Sequence, residues 1–117
     1  MILFLILCFI FLILIRCYYI KTNKFLYLSE SKIHGNGIFT SKNIKKDNFI
    51  LNAIDKNNHV TDIGTKINHS YNPNALLTFK LNKYNLYAIR DINRHEEITA
   101  NYNDTPDFIN KPNPDWI

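Results

Sequence analysis

The sequence predicts a small, mostly β domain preceded by an apolar helix. Residues 2–15 form an unbroken apolar run, and the rest of the chain consists of short segments in which apolar and polar side chains alternate. Asn, Gly, Asp and Pro separate these segments, as is typical of turns between strands. A chain of 117 residues has room for one domain with a single small core.

The first segment, residues 1–20, is expected to be a transmembrane anchor. A helix over residues 2–15 rises roughly 21 Å, short of the ~30 Å hydrocarbon core, and extending it to Ile20 gives roughly 28 Å with Arg16 at the headgroups. Arg16, Lys21 and Lys24 follow the apolar run. This charge pattern predicts a single-pass membrane protein with its domain on the cytoplasmic side.

Two alternatives exist for the same segment. A cleaved signal peptide is disfavoured because the segment lacks a basic start and a small-residue cleavage site. A buried core helix is disfavoured because the helix has no polar face to meet water.

A short linker, residues 21–25, leads to the predicted β domain, residues 26–117. The alternating pattern predicts a hairpin whose strands are residues 75–82 and 86–91, with residues 83–85 at its tip. The tail is expected to be extended because Pro106, Pro112 and Pro114 interrupt it. The other predicted strands cover residues 25–28, 37–40, 48–54 and 60–63.

The charge distribution indicates which partners to expect. The net charge is +4, but no five basic residues are consecutive, so no nucleic-acid partner is expected. Residues 90–117 carry six acidic and three basic side chains, which favours a cationic ligand or a lysine-bearing substrate there. Cys8 and Cys17 are the only cysteines and precede the domain, so no metal site is expected in it.

The densest set of hydrogen-bonding side chains is residues 68–74, Asn-His-Ser-Tyr-Asn-Pro-Asn. Pro73 keeps Asn72 out of the helical region, so the segment is expected to be a fixed irregular turn. A polar turn between apolar segments suits the wall of a binding pocket. The structural alternative is that Asn68 and His69 only hold the turn together through buried hydrogen bonds, and the two roles are compatible.

Three other motifs accompany this turn: residues 33–39, Ile-His-Gly-Asn-Gly-Ile-Phe; residues 87–92, Tyr-Ala-Ile-Arg-Asp-Ile; and residues 96–102, Glu-Glu-Ile-Thr-Ala-Asn-Tyr. The glycines at 35 and 37 allow a close approach of the main chain to a ligand, or else form a tight hairpin turn. In this order the four motifs resemble the SET-domain family of S-adenosylmethionine-dependent protein-lysine methyltransferases, over residues 26–117.

The resemblance implies a β-clip SET fold, in which short sheets surround a threaded C-terminal segment. It implies methyl transfer from S-adenosylmethionine to a lysine of a protein substrate, with Tyr102 as the catalytic tyrosine. The alternative for Tyr102 is a core tyrosine that ends a strand. An aromatic side chain of the tail, Phe108 or Trp116, would cover the adenine. The implied cofactor-binding residues are His34, Gly35, Asn36, Gly37, Asn68, His69 and Tyr102.

The chain departs from the family pattern in its middle. Only the seventeen residues 51–67 separate Ile50 from Asn68, where the family inserts a longer segment that builds much of the substrate groove. Tyr71 stands where related enzymes often carry the cysteine of a zinc module. Either a partner or a homodimer completes the groove, the substrate is not a histone tail, or activity is lost. The alternative function is therefore a catalytically inactive SET-like module that binds a protein at a membrane.

Overall fold

The computed structural model describes residues 1–23 and 25–116, and the side chains of residues 1–14 and 25–116. Within these residues one helix, α1 (Ile2–Asn23), precedes all the strands. Two single turns of 3₁₀ helix cover Gly64–Lys66 and Tyr102–Asp104. The strands are β1 (Leu26–Glu30), β2 (Asn36–Thr40), β3 (Phe49–Ile54), β4 (Asn68–His69), β5 (Ala75–Lys80), β6 (Lys83–Ala88) and β7 (Thr99–Ala100).

The prediction of a transmembrane anchor in residues 1–20 is wrong. In the described part of the chain, no helix is both long and apolar enough to cross a bilayer. The reason is visible in the sequence, because the apolar run of α1 ends at Ile15, after a rise of roughly 21 Å, and Arg16 follows. The predicted membrane partner and the single-pass localisation with a cytoplasmic domain rested on this anchor and are withdrawn with it.

The predicted mostly β architecture is confirmed. β1 pairs with β2 in an antiparallel ribbon, and β3, β6 and β5 form a three-stranded antiparallel sheet in that order. β4 and β7 pair in parallel, which sets Asn68 opposite Thr99 and His69 opposite Ala100. This short parallel pair joins the 68–74 turn to the segment that carries Tyr102, although 33 residues separate His69 from Tyr102 along the chain.

The predicted hairpin exists, but its tip lies earlier than the pattern indicated. Lys80 pairs with Lys83, so the turn consists of Leu81 and Asn82, with φ of 53° and 60°. A two-residue turn with positive φ at both positions matches the twist of the flanking strands. Asn adopts this conformation readily whereas leucine rarely does, which is why the sequence did not indicate it. The predicted strand at residues 60–63 is also wrong, since Val60 forms only an isolated bridge with Ile54.

The hydrophobic core draws residues from all three sheets. Ile50, Leu86, Ile92 and Ile98 are the largest apolar side chains that are completely buried. The buried polar side chains have a different distribution, because four of them lie in or beside the β4–β7 pair: Asn68, His69, Asn74 and Thr99. Buried polar groups need partners, so the hydrogen bonds of this region determine its shape.

Candidate functional site

Asn74 fixes the end of the 68–74 turn. Its side chain is almost completely buried, and its Nδ2 donates to the main-chain oxygen of Glu97 at 2.7 Å and to Oε2 of Glu96 at 3.0 Å. Its Oδ1 accepts from the N–H of Thr99 at 2.9 Å. A fully paired carboxamide of this kind holds two segments rigidly, because leaving any of these buried groups unpaired would cost free energy. The turn is therefore attached firmly to residues 96–99.

Asn68 connects the same turn to the glycine bend, residues 34–37. Its Nδ2 lies 3.0 Å from the main-chain oxygen of His34, 3.4 Å from that of Asn36 and 3.3 Å from Oε1 of Glu97. Within the described residues, its Oδ1 accepts no hydrogen bond. The side chain thus organises three segments through its amide nitrogen and keeps its oxygen available as an acceptor.

The two glycines of the bend serve different purposes. A Cβ on Gly37 would overlap Oε1 of Glu97 and lie 3.1 Å from Nδ2 of Asn68, so a side chain there would displace the Glu97 carboxylate. A Cβ on Gly35 would meet no atom within 4 Å, but the φ of Gly35 is +47°. Gly37 therefore provides close packing, whereas Gly35 provides backbone freedom.

His69 is buried among aromatic rings. The main-chain N–H of Tyr102 donates to its Nδ1 at 3.0 Å. The ring centroids of Tyr71 and Tyr102 lie 4.3 Å and 5.1 Å away. Burial lowers the pKa of His69, so the imidazole is neutral near pH 7. Because Nδ1 accepts, the proton resides on Nε2, and this buried donor has no partner among the described residues.

Tyr102 begins a 3₁₀ turn directly after the β4–β7 pair and is half-buried. Its phenol donates to the main-chain oxygen of Ile67 at 2.5 Å, next to Asn68 in the chain. Burial raises the pKa of Tyr102, which keeps the phenol protonated at neutral pH. The Tyr102 side chain is therefore a hydrogen-bond donor fixed beside the turn.

Tyr102 lines two cavities. The first, here called the His69 cavity, has a volume of about 440 Å³ and is lined by Tyr102 and by Ile33, His34, Asn68, His69, Asp115 and Trp116. The second, the Leu77 cavity, has a volume of about 400 Å³ and is mainly aliphatic, with Tyr102 and with Ala53, Val60, Ile67, Leu77, Leu86 and Ile109 in its wall. Ile67 faces one cavity and its neighbour Asn68 the other, as expected for successive residues of an extended chain.

Four of the sequence-predicted site residues line the His69 cavity together: His34, Asn68, His69 and Tyr102. Gly35, Asn36 and Gly37 do not line it, although Asn36 and Gly37 lie behind the wall and contact Asn68. Of the two tail aromatics, Trp116 lines this cavity, whereas Phe108 lines the other one.

Sequence reasoning missed Glu97. This residue lay within the 96–102 motif, but only the fold places its carboxylate between Asn68 and Gly37. An acidic pair before a strand is common on protein surfaces, so the sequence held no signal that one member turns inwards. Asp115 was missed for the same reason, because its place in the cavity wall depends on the path of the tail.

The chain is similar to known proteins in a sequence pattern and in its fold. The sequence pattern of the SET domain matches residues 51–103. No curated protein matches the chain. Among solved structures, a similar one is the crystal structure of a Plasmodium falciparum protein described as a candidate histone methyltransferase. The two are 24% identical over 64% of this chain and 90% of that chain, with a TM-score of 0.55, so they share a fold. Residues 51–103 of the chain therefore match the SET-domain pattern, and the chain shares the fold of that protein.

Proposed function

We propose that this protein transfers a methyl group from S-adenosylmethionine to the side-chain amine of a lysine in a protein. The observation that carries the proposal is that Tyr102 lines both cavities. Methyl transfer from a sulfonium to an amine is an in-line displacement. The attacking nitrogen and the leaving sulfur must therefore lie on opposite sides of the methyl carbon. Two cavities that share one wall residue suit such a reaction.

The residues of the His69 cavity fit the donor. Nε2–H of His69 lacks an acceptor and Oδ1 of Asn68 lacks a donor among the described residues, so a ligand with both kinds of group would satisfy them. Asp115 lines the cavity and the Glu97 carboxylate contacts Asn68, which favours a positively charged ligand. The ring of Trp116 offers an apolar face to a nucleobase. When bound, S-adenosylmethionine supplies an electrophilic methyl group on a positively charged sulfur.

The Leu77 cavity suits the acceptor amine. Its aliphatic wall disfavours a charged ammonium relative to a neutral amine, so a lysine that enters would lose its proton more easily than in water. Only the neutral amine has the lone pair that attacks carbon. The hydrocarbon stem of a lysine would meanwhile pack against Leu77 and Leu86. The chain thus prepares the amine by desolvation, without a dedicated base.

Tyr102 would orient the reacting groups. Its raised pKa makes the phenol a poor proton acceptor, so general-base catalysis by Tyr102 is not part of the proposal. The phenol oxygen and the Ile67 carbonyl oxygen to which it donates instead supply partial negative charge at a residue that lines both cavities. Fixed dipoles of this kind stabilise charge that moves during a reaction without any need to reorganise.

The test is an assay of the full-length chain with radiolabelled S-adenosylmethionine and a mixture of lysine-bearing proteins. The proposal predicts label on lysine, after acid hydrolysis of the acceptor proteins. A folded chain that binds the cofactor by calorimetry yet labels no lysine would support the inactive binding module instead. A folded chain that neither binds the cofactor nor transfers label would overturn both interpretations of the His69 cavity.

A further inference from the structure

The protein's own tail forms part of the Leu77 cavity. Thr105, Phe108, Ile109 and Asn110 all line it, and Lys111 follows directly. The ammonium of Lys111 folds back and donates to the main-chain oxygen of Thr105 at 2.5 Å, with Oγ1 of the same residue 3.5 Å away. A lysine amine is therefore held on the rim of the cavity proposed to accept one.

Thr105 connects the Lys111 amine to Tyr102, the residue at the proposed reaction centre. Thr105, which holds the Lys111 amine, donates from its own Oγ1 to the main-chain oxygen of Tyr102 at 2.6 Å. Lys111 is exposed, and among the described side chains no carboxylate forms an ion pair with it. Both contacts of the ammonium are with Thr105 and neither is an ion pair, so water can replace them when the exposed amine leaves Thr105.

The tail around Lys111 contains no helix or strand, and side chains attach it to the domain. The main-chain bonds that begin in residues 105–116 run from Thr105 to Tyr102, from Ile109 to Pro106 and from Trp116 to Asn113, and all of them are local. The side chain of Tyr71 fastens Asn113 to the 68–74 turn at 3.1 Å. Ile109 packs against the core and Pro112 is buried, so the movement that the transfer requires is that of the exposed Lys111 side chain.

Lys66, like Lys111, is adjacent in sequence to residues that line the Leu77 cavity, but its ammonium is placed differently. It lies between Thr65 and Ile67, which both line the cavity. It belongs to the 3₁₀ turn Gly64–Lys66, where its main-chain N–H bonds to Ile63 at 3.1 Å. Its ammonium makes no described hydrogen bond to the cavity wall, whereas that of Lys111 does. Lys66 therefore provides a matched comparison for Lys111.

We propose that Lys111 is a methyl acceptor of the protein itself, and that it reaches the Leu77 cavity from its own tail. The inference rests on the proposed function and names a substrate for it. In the reaction the lone pair of the neutral Lys111 amine forms a bond to the methyl carbon of the sulfonium donor. The carbon–sulfur bond breaks and its electron pair stays on sulfur as a neutral thioether. The methylated amine releases a proton to the solvent.

The experiment incubates the full chain with isotopically labelled S-adenosylmethionine and no other protein, followed by proteolysis and mass spectrometry. The expected result is label on the peptide that contains Lys111, lost in Lys111→Arg and in Tyr102→Phe but kept in Lys66→Arg. The label acquired per chain should also be independent of protein concentration, as transfer within one molecule requires. Label that increases with concentration, or that appears on Lys66 instead, would overturn the inference.

The outcome is separable from that of the proposed function. If other proteins become labelled while Lys111 stays unmodified, the assignment of Lys111 fails and the proposed function stands. If no lysine of any protein becomes labelled, both proposals fail together.

Discussion

The main-chain N–H of Tyr102 donates to Nδ1 of His69 across 3.0 Å. This bond joins the 68–74 turn to the C-terminal segment and fixes the imidazole proton on Nε2. The same bond therefore leaves Nε2–H as a buried donor that has no partner among the described residues. Both roles anticipated for this histidine, holding the turn and facing a ligand, are compatible with one geometry.

Substitution of His69 should separate these two roles. His69→Ala removes the acceptor of the Tyr102 N–H, and we expect a loss of about 1–3 kcal/mol of unfolding free energy because a half-buried donor is left unpaired. His69→Asn places an amide oxygen near the position of Nδ1 and should lose less. Urea denaturation of the two variants measures the difference. Equal losses would contradict the structural role assigned to Nδ1.

The buried imidazole also predicts a pH dependence of stability. Because burial lowers the pKa of His69, the unfolded chain takes up a proton near the ordinary value of 6.5 that the folded chain does not bind. The contribution of His69 to stability is therefore complete above that pH and decreases as the pH falls below it. Urea midpoints measured at about pH 7.5 and about pH 5.5 should differ more in the wild type than in His69→Asn. An identical difference in both proteins would contradict the assignment.

Tyr102→Phe removes the phenol of the residue that lines both cavities. We expect methyl transfer to fall by about 10²-fold or more, as is typical when a preorganised polar group is lost. The affinity for the cofactor should change little, because the ring and the main-chain bond to His69 remain. Tyr84→Phe is the matched control, since Tyr84 lies on β6 and lines neither cavity. Equal activity of the two variants would contradict the role assigned to the Tyr102 phenol in methyl transfer.

Gly37→Ala tests the packing behind the His69 cavity. The added Cβ displaces the Glu97 carboxylate, and through it Asn68, so we expect cofactor affinity to fall by about tenfold, or roughly 1.4 kcal/mol. The same substitution in a Glu97→Ala background should cost less, because the clashing group is gone. Calorimetric titration of the four proteins completes the cycle. Additive effects would show that Gly37 and Glu97 act independently.

Ala53→Phe and Trp116→Ala should affect opposite sides of the site. The phenyl ring introduced by Ala53→Phe would fill the Leu77 cavity, so acceptor methylation should fall while cofactor affinity stays near that of the wild type. Removal of the Trp116 ring should weaken cofactor binding by about 0.5–1.5 kcal/mol through lost aromatic contact. Because an added ring in a packed site can cost about 1–3 kcal/mol of stability, circular dichroism must first show that Ala53→Phe is folded. A loss of cofactor affinity in folded Ala53→Phe would contradict the division into two cavities.

The parts of the fold that the sequence predicted are those set by local pattern. Strands β2, β3 and β5 lie where the sequence predicted strands, and the bounds found differ by a few residues from those predicted. The turn at Leu81 and Asn82 escaped prediction because a leucine with positive φ is held by the pairing of the flanking strands, not by its own preference. The prediction of an anchor was wrong because it counted the residues after Arg16 as part of the apolar run.

The site was predictable only as far as residue type indicates chemistry. Asn68, His69 and Tyr102 stand out as polar groups between apolar segments, and the fold brings them to one cavity. The inward direction of Glu97 and the approach of Asp115 depend on long-range packing, so no spacing along the chain reveals them. The homodimer that would complete a short substrate groove stays a prediction, as do the cofactor-binding roles of Gly35 and Asn36.

The central claim is that the donor and acceptor meet at Tyr102 from opposite cavities, and a crystal structure of the chain soaked with S-adenosylmethionine tests it most directly. We predict density for the nucleoside in the His69 cavity, in contact with Nε2 of His69 and Oδ1 of Asn68, with the methyl group directed past the Tyr102 phenol towards the Leu77 cavity. Density for the nucleoside in the Leu77 cavity, or a methyl group directed away from Tyr102, would contradict the account.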